Sequence, residues 1–578
     1  MSDSASDCDV LIIGAGPAGL MLACWLARSG VKTRIIEQRD HKITRGHADG
    51  IQVRTIEVFQ SFGFADRFRK EANELSEVVF YDPDENGRLV PTERIPDTEP
   101  NTSRMRHAVL NQGRIEDFLI DCMAEHGKRR EVAKMETINA KYAVGCDGAR
   151  SWTRKQLGYK LEGDSANVFW GVMDTRPITD LPDIRVKVVM HSADAGSLLI
   201  VPRERNIVRF YIQLAKLEVG EKLDPRMQTL EAIIASARRI MAPYTLECPE
   251  VEWWSVYEIG QRLCKDVSFK NRVFLAGDAF HTHSPKGGQG MNFSMLDSYN
   301  LGWKLAACVK GRMKPSILET YASERVEVAQ GLIDFDRNIS NLFSGKPAVA
   351  EQAGVSMKEF QALWIRMGKW TSGTGIVYPP SVLVAESSES KTVLAQNITI
   401  GSHLESQVVV GYADATAVHL GDVLHADGRW RLIVFAGDLA NPAQLQRFHD
   451  LCADLSNNPA SPVKRYTPPD ADINSFVQLL TITSSLRHAI PYSALPALAR
   501  PLVTANGHRY PTYDQVFSDE SSYLDGGGQA YSWYGVDSIG PGCVVLVRPD
   551  QHVADILSFE DCGSELGRFF EKIMTEGV

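Results

Sequence analysis

The run Asp9-Val-Leu-Ile-Ile13, followed at once by Gly14-Ala-Gly-Pro-Ala-Gly19, constrains this chain more than any other stretch. A short β-branched strand, three glycines spaced G-x-G-x-x-G and an apolar helical stretch over Leu20–Ser29 form the first half of a βαβ unit. The strand Thr33–Ile36 completes it. Such a unit opens a doubly wound sheet. The glycines allow a tight turn and let backbone N–H groups close on a pyrophosphate at a helix N-terminus, so Gly14, Gly16 and Gly19 are candidate dinucleotide-binding residues. Glu37 ends the second strand, where an acidic side chain accepts a ribose hydroxyl. That favours the unphosphorylated ribose of FAD or NAD over the 2'-phosphate of NADP at this position. A tight structural turn is the plainer alternative, and these residues alone leave FAD and NAD equal.

With 578 residues the chain exceeds one compact core, and two or three domains are expected. Its 44% hydrophobic and 23% charged residues place it among globular proteins. A net charge of -10 argues against nucleic acid or an anionic membrane as partner, because both draw on basic surface. The run Lys128-Arg129-Arg130 reads as a solvated turn. The 10 cysteines form no C-x-x-C pair and no zinc-ligand spacing, which points to reduced thiols in a cytoplasmic protein without a metal. Acidic Asp3, Asp7 and Asp9 are the reverse of a secretory n-region. Gly14, Gly16, Pro17 and Gly19 would break the uncharged stretch 10–27 as a membrane helix.

Two further segments separate the cofactors. Tyr142-Ala-Val-Gly-Cys-Asp-Gly-Ala-Arg-Ser151 with Arg154, and Phe274-Leu-Ala-Gly-Asp-Ala-Phe-His-Thr-His-Ser-Pro285, resemble signatures of the flavoprotein aromatic hydroxylases, in that family's order. The resemblance implies non-covalent FAD, with Gly277 and Asp278 at the ribityl chain and Asp147 and Gly148 in a loop serving both FAD and the nicotinamide. The entry Lys286-Gly-Gly-Gln-Gly-Met-Asn292 leads into a helix, and Gly290, Met291 and Asn292 are candidates for the edge of the reduced flavin. No second dinucleotide fingerprint appears. The family's coenzyme docks transiently without a domain of its own, and its members mostly use NADPH.

Within that family the chain is most similar to the phenol 2-monooxygenase-like group, through Gly46-His-Ala-Asp-Gly50 with Gln52 and Arg54, Pro202-Arg-Glu204 with Arg209 and Tyr211, and Lys286–Asn292. The implied fold is α/β. A Rossmann-like FAD-binding domain (1–167 and 271–345) carries an inserted antiparallel substrate sheet (168–270). A helical connector (346–395) leads to a thioredoxin-like domain (396–578) that lacks C-x-x-C and suits a homodimer. Asp49, Arg203 and Tyr211 are the implied catalytic set, with Asp49 as base, because a phenolate reacts with a flavin C4a-hydroperoxide faster than a phenol does. His107, Arg209 and Pro285 join Asp49 and Tyr211 as substrate candidates. Gln112 and Arg114 match a helix entry that contacts FAD.

Plainer readings stay open beside these. Asp147 suits a turn cap, Asp49 a helix cap near Ile51, Arg203 a surface ion pair, Tyr211 a core position, and His107 a satisfied structural histidine. His281 and His283 lack the partners a metal needs. Between Gly127 and Ile138 the chain has only ten residues where the family carries a longer segment. The expected reaction is NADPH- and O2-dependent hydroxylation of a small phenol, ortho to its hydroxyl. The rivals are a flavin oxidase or dehydrogenase and a non-catalytic FAD-binding redox scaffold.

Overall fold

The computed structural model describes residues 5–125, 137–192, 194–216, 228–284, 288–344 and 357–576. Pro285, Lys286, Gly287 and the short 128–136 segment lie outside them. The chain divides into two compact units. The first comprises Met1–Phe59, Phe64–Tyr299 and Arg325–Thr374; the second comprises Gln60–Gly63, Asn300–Glu324 and Gly375–Val578. The expected connector is thus divided between them, and its helix Met357–Thr371 belongs to the first.

In the first unit the strand Ala5–Ile13 runs parallel to Thr33–Ile36 on one side and Thr137–Gly145 on the other. Val273–Leu275 extends the sheet in the same sense. Val10 and Ile12 are fully buried, as expected for a central parallel strand covered on both faces. The helix Pro17–Arg28 starts on a proline, whose missing N–H has no partner to lose at a helix start, and buries residues 18–26. Ile13 pairs with Ile36 and Gly145, and Gly145 with Leu275, so the strands end at one level. The loops carrying the Gly14–Gly19 run, Asp147 and Asp278 therefore leave the same edge, where open α/β sheets bind ligands.

An eight-stranded sheet forms the second layer, in the order His281–Thr282, Val251–Leu263, Glu162–Thr175, Val208–Lys216, Gly196–Pro202, Lys187–Ser192, Glu77–Pro83 and Leu89–Pro96. Its last two strands come from well before residue 168, joined through a parallel pairing of Glu77–Pro83 with Lys187–Ser192 that no local pattern reveals. Alternation divides the side chains. Val79, Val188, Met190, Phe210 and Ile212 face the helix Leu230–Met241, while Val78, Val189, Leu199 and Tyr211 pack with Phe335, Ile339 and Leu363.

The second unit holds a seven-stranded sheet. Its fully buried strand Trp430–Gly437 runs parallel to the central strand, Val477–Thr483, and antiparallel to Cys543–Val547, which pairs in turn with Val553–Leu557. With the helices Pro442–Asn457 and Cys562–Ile573 this is a thioredoxin-like arrangement. Where a dithiol motif would stand, Asn441 caps the helix, accepting from the Ala443 N–H at 3.0 Å. All 10 cysteines are free thiols. A fully buried ion network also lies in this unit. Glu324 accepts from Arg548 at 2.6 and 3.0 Å and from Lys304 at 2.7 Å, and Arg548 also reaches Asp550 at 2.7 Å.

Candidate active site

The glycine loop divides its labour. A Cβ on Gly14 would stand 2.4 Å from the Cys146 carbonyl oxygen, and one on Gly19 would stand 2.0 Å from that of Gly14, so both serve the turn itself. A Cβ on Gly16 would meet nothing within 4 Å. That open side lies at a helix start with no side-chain cap and no acidic residue in its first turn, which suits a pyrophosphate. Glu37 accepts from the Ala15 N–H at 2.8 Å and from Arg39 at 3.0 and 3.2 Å. Burial would raise its pKa, but these bonds outweigh it and hold the carboxyl below its ordinary range.

Asp147 takes Ser151 Oγ at 2.6 Å and the Thr153 N–H at 2.8 Å, shaping the short helix Trp152–Gln156. Arg154 donates to the Ala279 carbonyl at 2.6 Å and so ties this loop to the next. Gly148 and Gly277 have φ of 74° and 62°, in the left-handed region that favours glycine. Asp278 is exposed at this edge. Gly290 and Met291 open a helix that runs to Val309. The Asn292 side chain joins this start to the Gly50–Gln52 segment, accepting from the Gln52 N–H and donating to the Gly50 and Gly288 carbonyls, each at 2.9 Å. Gln112 accepts from the Ala48 N–H at 3.2 Å, whereas Arg114 turns away to pair with Glu71 at 2.7 Å. An uncapped helix start beside an open glycine, with acidic groups at the same sheet edge, fits FAD.

Asp49 does not cap a helix. The strand Gly50–Ile51 follows it, and the helix begins at Val53. Its Oδ2 lies 3.3 Å from Arg203 Nε and 3.1 Å from Arg209, at ion-pair distance but without hydrogen-bond alignment. Arg203 is no surface residue. It is 2% exposed and bonds Asp174 at 2.7 Å and Glu204 at 2.8 Å. Arg209 sits directly across the sheet from Asp174, grips both its oxygens at 2.6 and 2.7 Å, and donates to the His47 carbonyl. Burial first, then nearby Asp49, pushes the Tyr211 hydroxyl well above its usual range.

Beside this network is a cavity of about 190 Å³ with a largely apolar wall that includes Ile95, Phe335, Trp364 and Ile365. Gln52, Asp97, His107, Lys187 and Gln289 supply polar groups to it. Asp97 accepts from Lys187 Nζ at 2.6 Å and pairs through its other oxygen with His107 Nδ1 at 2.7 Å. Burial would raise this carboxyl, but Lys187 and His107 hold it far below its usual range. His107 Nε2 and Gln289 Oε1 are buried without a hydrogen-bond partner. Asp49, Arg203 and Tyr211 are not part of this wall, although Tyr211 packs in the same cluster as Phe335.

No sequence motif marks Lys187, Asp97 or Trp364. A signal for Lys187 exists: it shares strand parity with Val189, on the face that carries Tyr211. His281 bonds Asp297 at 2.8 Å, and burial pushes the His283 ring below its usual range. Among the described residues no group of three or more His, Cys, Asp or Glu could hold a metal, and no helix is long and apolar enough to cross a membrane.

Fold and site together define an FAD-binding oxidoreductase with a separate ring-sized cavity. A family model described as an FAD binding domain matches residues 7–134 and 125–336, two stretches that overlap across the short segment. One described as phenol hydroxylase, C-terminal dimerisation domain, matches residues 376–578. The chain is 42% identical to a 3-hydroxybenzoate 4-monooxygenase of Comamonas testosteroni, covering 98% of this chain and 95% of the relative. It is 34% identical to a phenol 2-monooxygenase of Aspergillus fumigatus, covering 100% of this chain and 98% of the relative. Aklavinone-11 hydroxylase, solved with FAD and aklavinone, shares the fold at a TM-score of 0.67 and 20% identity over 99% of both chains. The chain belongs to the FAD-dependent aromatic monooxygenases that carry a phenol hydroxylase C-terminal dimerisation domain, and FAD is its cofactor.

Proposed function

We propose that this enzyme hydroxylates a single-ring phenol bearing a carboxylate, a hydroxybenzoate, at the position ortho to the hydroxyl, with NADPH as reductant and O2 as oxygen source. The observation that carries this reading is Lys187 in the wall of the apolar cavity. Its ammonium has three N–H donors, one of which goes to Asp97, and it lies 4.6 Å from the Trp364 ring. A substrate carboxylate takes a further donor. An apolar cavity of about 150 Å³ admits a benzene ring, so about 190 Å³ suits one substituted ring better than a fused system. The activity for which the 42% identical relative is named, oxygenation of 3-hydroxybenzoate at the carbon beside its hydroxyl, supports the same substrate and position.

Bound FAD supplies the redox and oxygen chemistry. Gly14, Gly16, Gly19, Glu37, Asp147, Gly148, Gly277 and Asp278 would hold it, with Gln112 steadying the 46–50 loop and Gly290–Asn292 presenting a helix start to its ring. Arg203, Arg209 and Asp174 would hold Asp49 in place, with Tyr211 against the Arg209 guanidinium. The apolar wall orients the substrate and excludes water, limiting wasteful peroxide release. Residues 376–578 would join two copies into a homodimer, and ten free thiols suit a reducing cytoplasm.

The test is NADPH consumption by the FAD-loaded protein over phenols with and without a meta carboxylate, with products weighed and peroxide counted. Gain of one oxygen by 3-hydroxybenzoate supports the proposal. Preference for uncarboxylated or polycyclic phenols would remove the substrate assignment, and peroxide without product would favour the oxidase rival.

A further inference from the structure

The second unit gathers three loops at one edge of its sheet. Val477–Thr483 runs parallel to both Trp430–Gly437 and Val516–Ser518, and Cys543–Val547 begins beside the end of Trp430–Gly437. The loops 484–491, 519–529 and 535–542 therefore meet at that edge. Hydrogen bonds tie them to one another. Ser484 Oγ donates to the Ser538 carbonyl at 2.5 Å, Ser518 Oγ to the Ser485 carbonyl at 2.9 Å, and Arg487 Nε to Glu520 at 2.9 Å. Within the middle loop the Ser522 N–H donates to the Gly526 carbonyl at 2.7 Å, and Ser521 forms a β-bridge with Gly527. A closed turn thus carries Tyr523 and Leu524 at its tip.

Turn tips are ordinarily built from glycine, proline and small polar residues. Here Tyr523 and Leu524 are each 92% exposed and Ile539 is 85% exposed, the three most exposed large apolar side chains among the described residues. Leu486, 52% exposed, lies on the loop that is bonded to both of the others. Scattered apolar residues on a surface need no explanation, but the extremes of exposure falling on three linked loops mark a contact surface. Arg487 neutralises Glu520 within the face, while the exposed Asp525 and Asp537 flank the apolar residues, the pattern of an apolar centre with a polar rim.

We infer that this face of the second unit docks a second copy of the chain, the same loops meeting across a two-fold axis. The inference rests on the homodimer reading and names its surface. The whole face lies inside residues 376–578, the stretch that matches a phenol hydroxylase dimerisation domain. A thiol-exchanging partner has no chemistry to find at this edge, because Asp438–Asn441 leave it without a cysteine and Asn441 is spent as a helix cap. A patch that meets its own copy closes at two and leaves no free apolar surface to propagate. Because the turn is already closed by its own hydrogen bonds, little ordering is needed when the tip is buried.

The experiment is sedimentation of the full-length, FAD-loaded enzyme over a range of concentrations, with amide hydrogen exchange measured above and below the dissociation midpoint. The variant Tyr523→Ser with Leu524→Asp places a charge at the centre of the face and should raise the dimer's dissociation constant about 100-fold or more. FAD content should not change, since neither side chain packs in the monomer's interior. Ile178→Asp, at a 60% exposed apolar position of the first unit, should sediment as the wild type does. In the wild type, amides of the loops 519–529 and 535–542 should exchange more slowly in the dimer. A double variant with the wild-type dissociation constant overturns the assignment of this face while the homodimer stands. Loop exchange independent of concentration, with protection elsewhere in the dimer, overturns it without any variant. A wild type that sediments as a monomer throughout overturns the homodimer reading, and this inference with it.

Discussion

At the scale of single residues, Lys187 and Arg209 show two uses of a buried cation. Lys187 leaves donors for a ligand, so Lys187→Met is expected to raise KM for hydroxybenzoates about 10- to 100-fold, the worth of one charge-assisted hydrogen bond. Uncarboxylated phenols should be nearly unaffected. Steady-state kinetics on a matched substrate pair checks this, and equal loss on both substrates would refute it. Arg209 is spent on Asp174, Asp49 and the His47 carbonyl. Arg209→Met should lower stability by about 3 to 5 kcal/mol, seen in urea unfolding, because it strands buried carboxylates. Asp49, Arg203, Arg209 and Tyr211 were legible in the sequence because they stand in recognisable motifs. Their mutual pairing was not, since Arg209 meets Asp174 only through strand register. Asp97 and Lys187 carry no motif at all, and 90 residues of chain separate the two ends of their bond.

At the scale of elements, the glycine loop predicts a separation of folding from cofactor retention. Gly16→Ala adds a methyl where nothing lies within 4 Å. It should leave the apoprotein's melting temperature nearly unchanged while weakening FAD binding in a flavin-fluorescence titration. Gly19→Val drives side-chain atoms towards the Gly14 carbonyl, 2.0 Å from the Cβ position, and should lower the melting temperature of the apoprotein as well. Equal melting temperatures for the two would contradict this division. The opening βαβ unit was readable because its strands are short, apolar and adjacent in sequence. The helix Met357–Thr371 was harder to place, because its polar residues resemble a connector until its partners are known. Its buried Leu363 packs with Phe80 and Trp170, far away in sequence.

At the scale of the whole molecule, the buried ions of the second unit couple its stability to acid. Burial alone would raise Glu324, but Arg548 and Lys304 outweigh it and bring its pKa down to about 2. A carboxyl depressed from 4.5 to about 2 adds stability above pH 4.5 that is lost as pH falls through 2, on the order of 3 kcal/mol. Glu324→Gln should therefore melt well below wild type at pH 6, and the gap should narrow steadily between pH 4.5 and 2. A constant gap would show that the carboxylate's charge is not what matters. The other architectural feature with reach beyond this chain is the cavity wall built from Trp364, Ile365 and Gly368. These come from one continuous helix, while the strands and loops bearing Asp97, His107 and Lys187 lie elsewhere in the sequence. A lineage could change its diet by rewriting that helix alone, leaving the cavity's polar groups inherited intact. A combinatorial library restricted to those three positions is the economical place to seek new aromatic feedstocks.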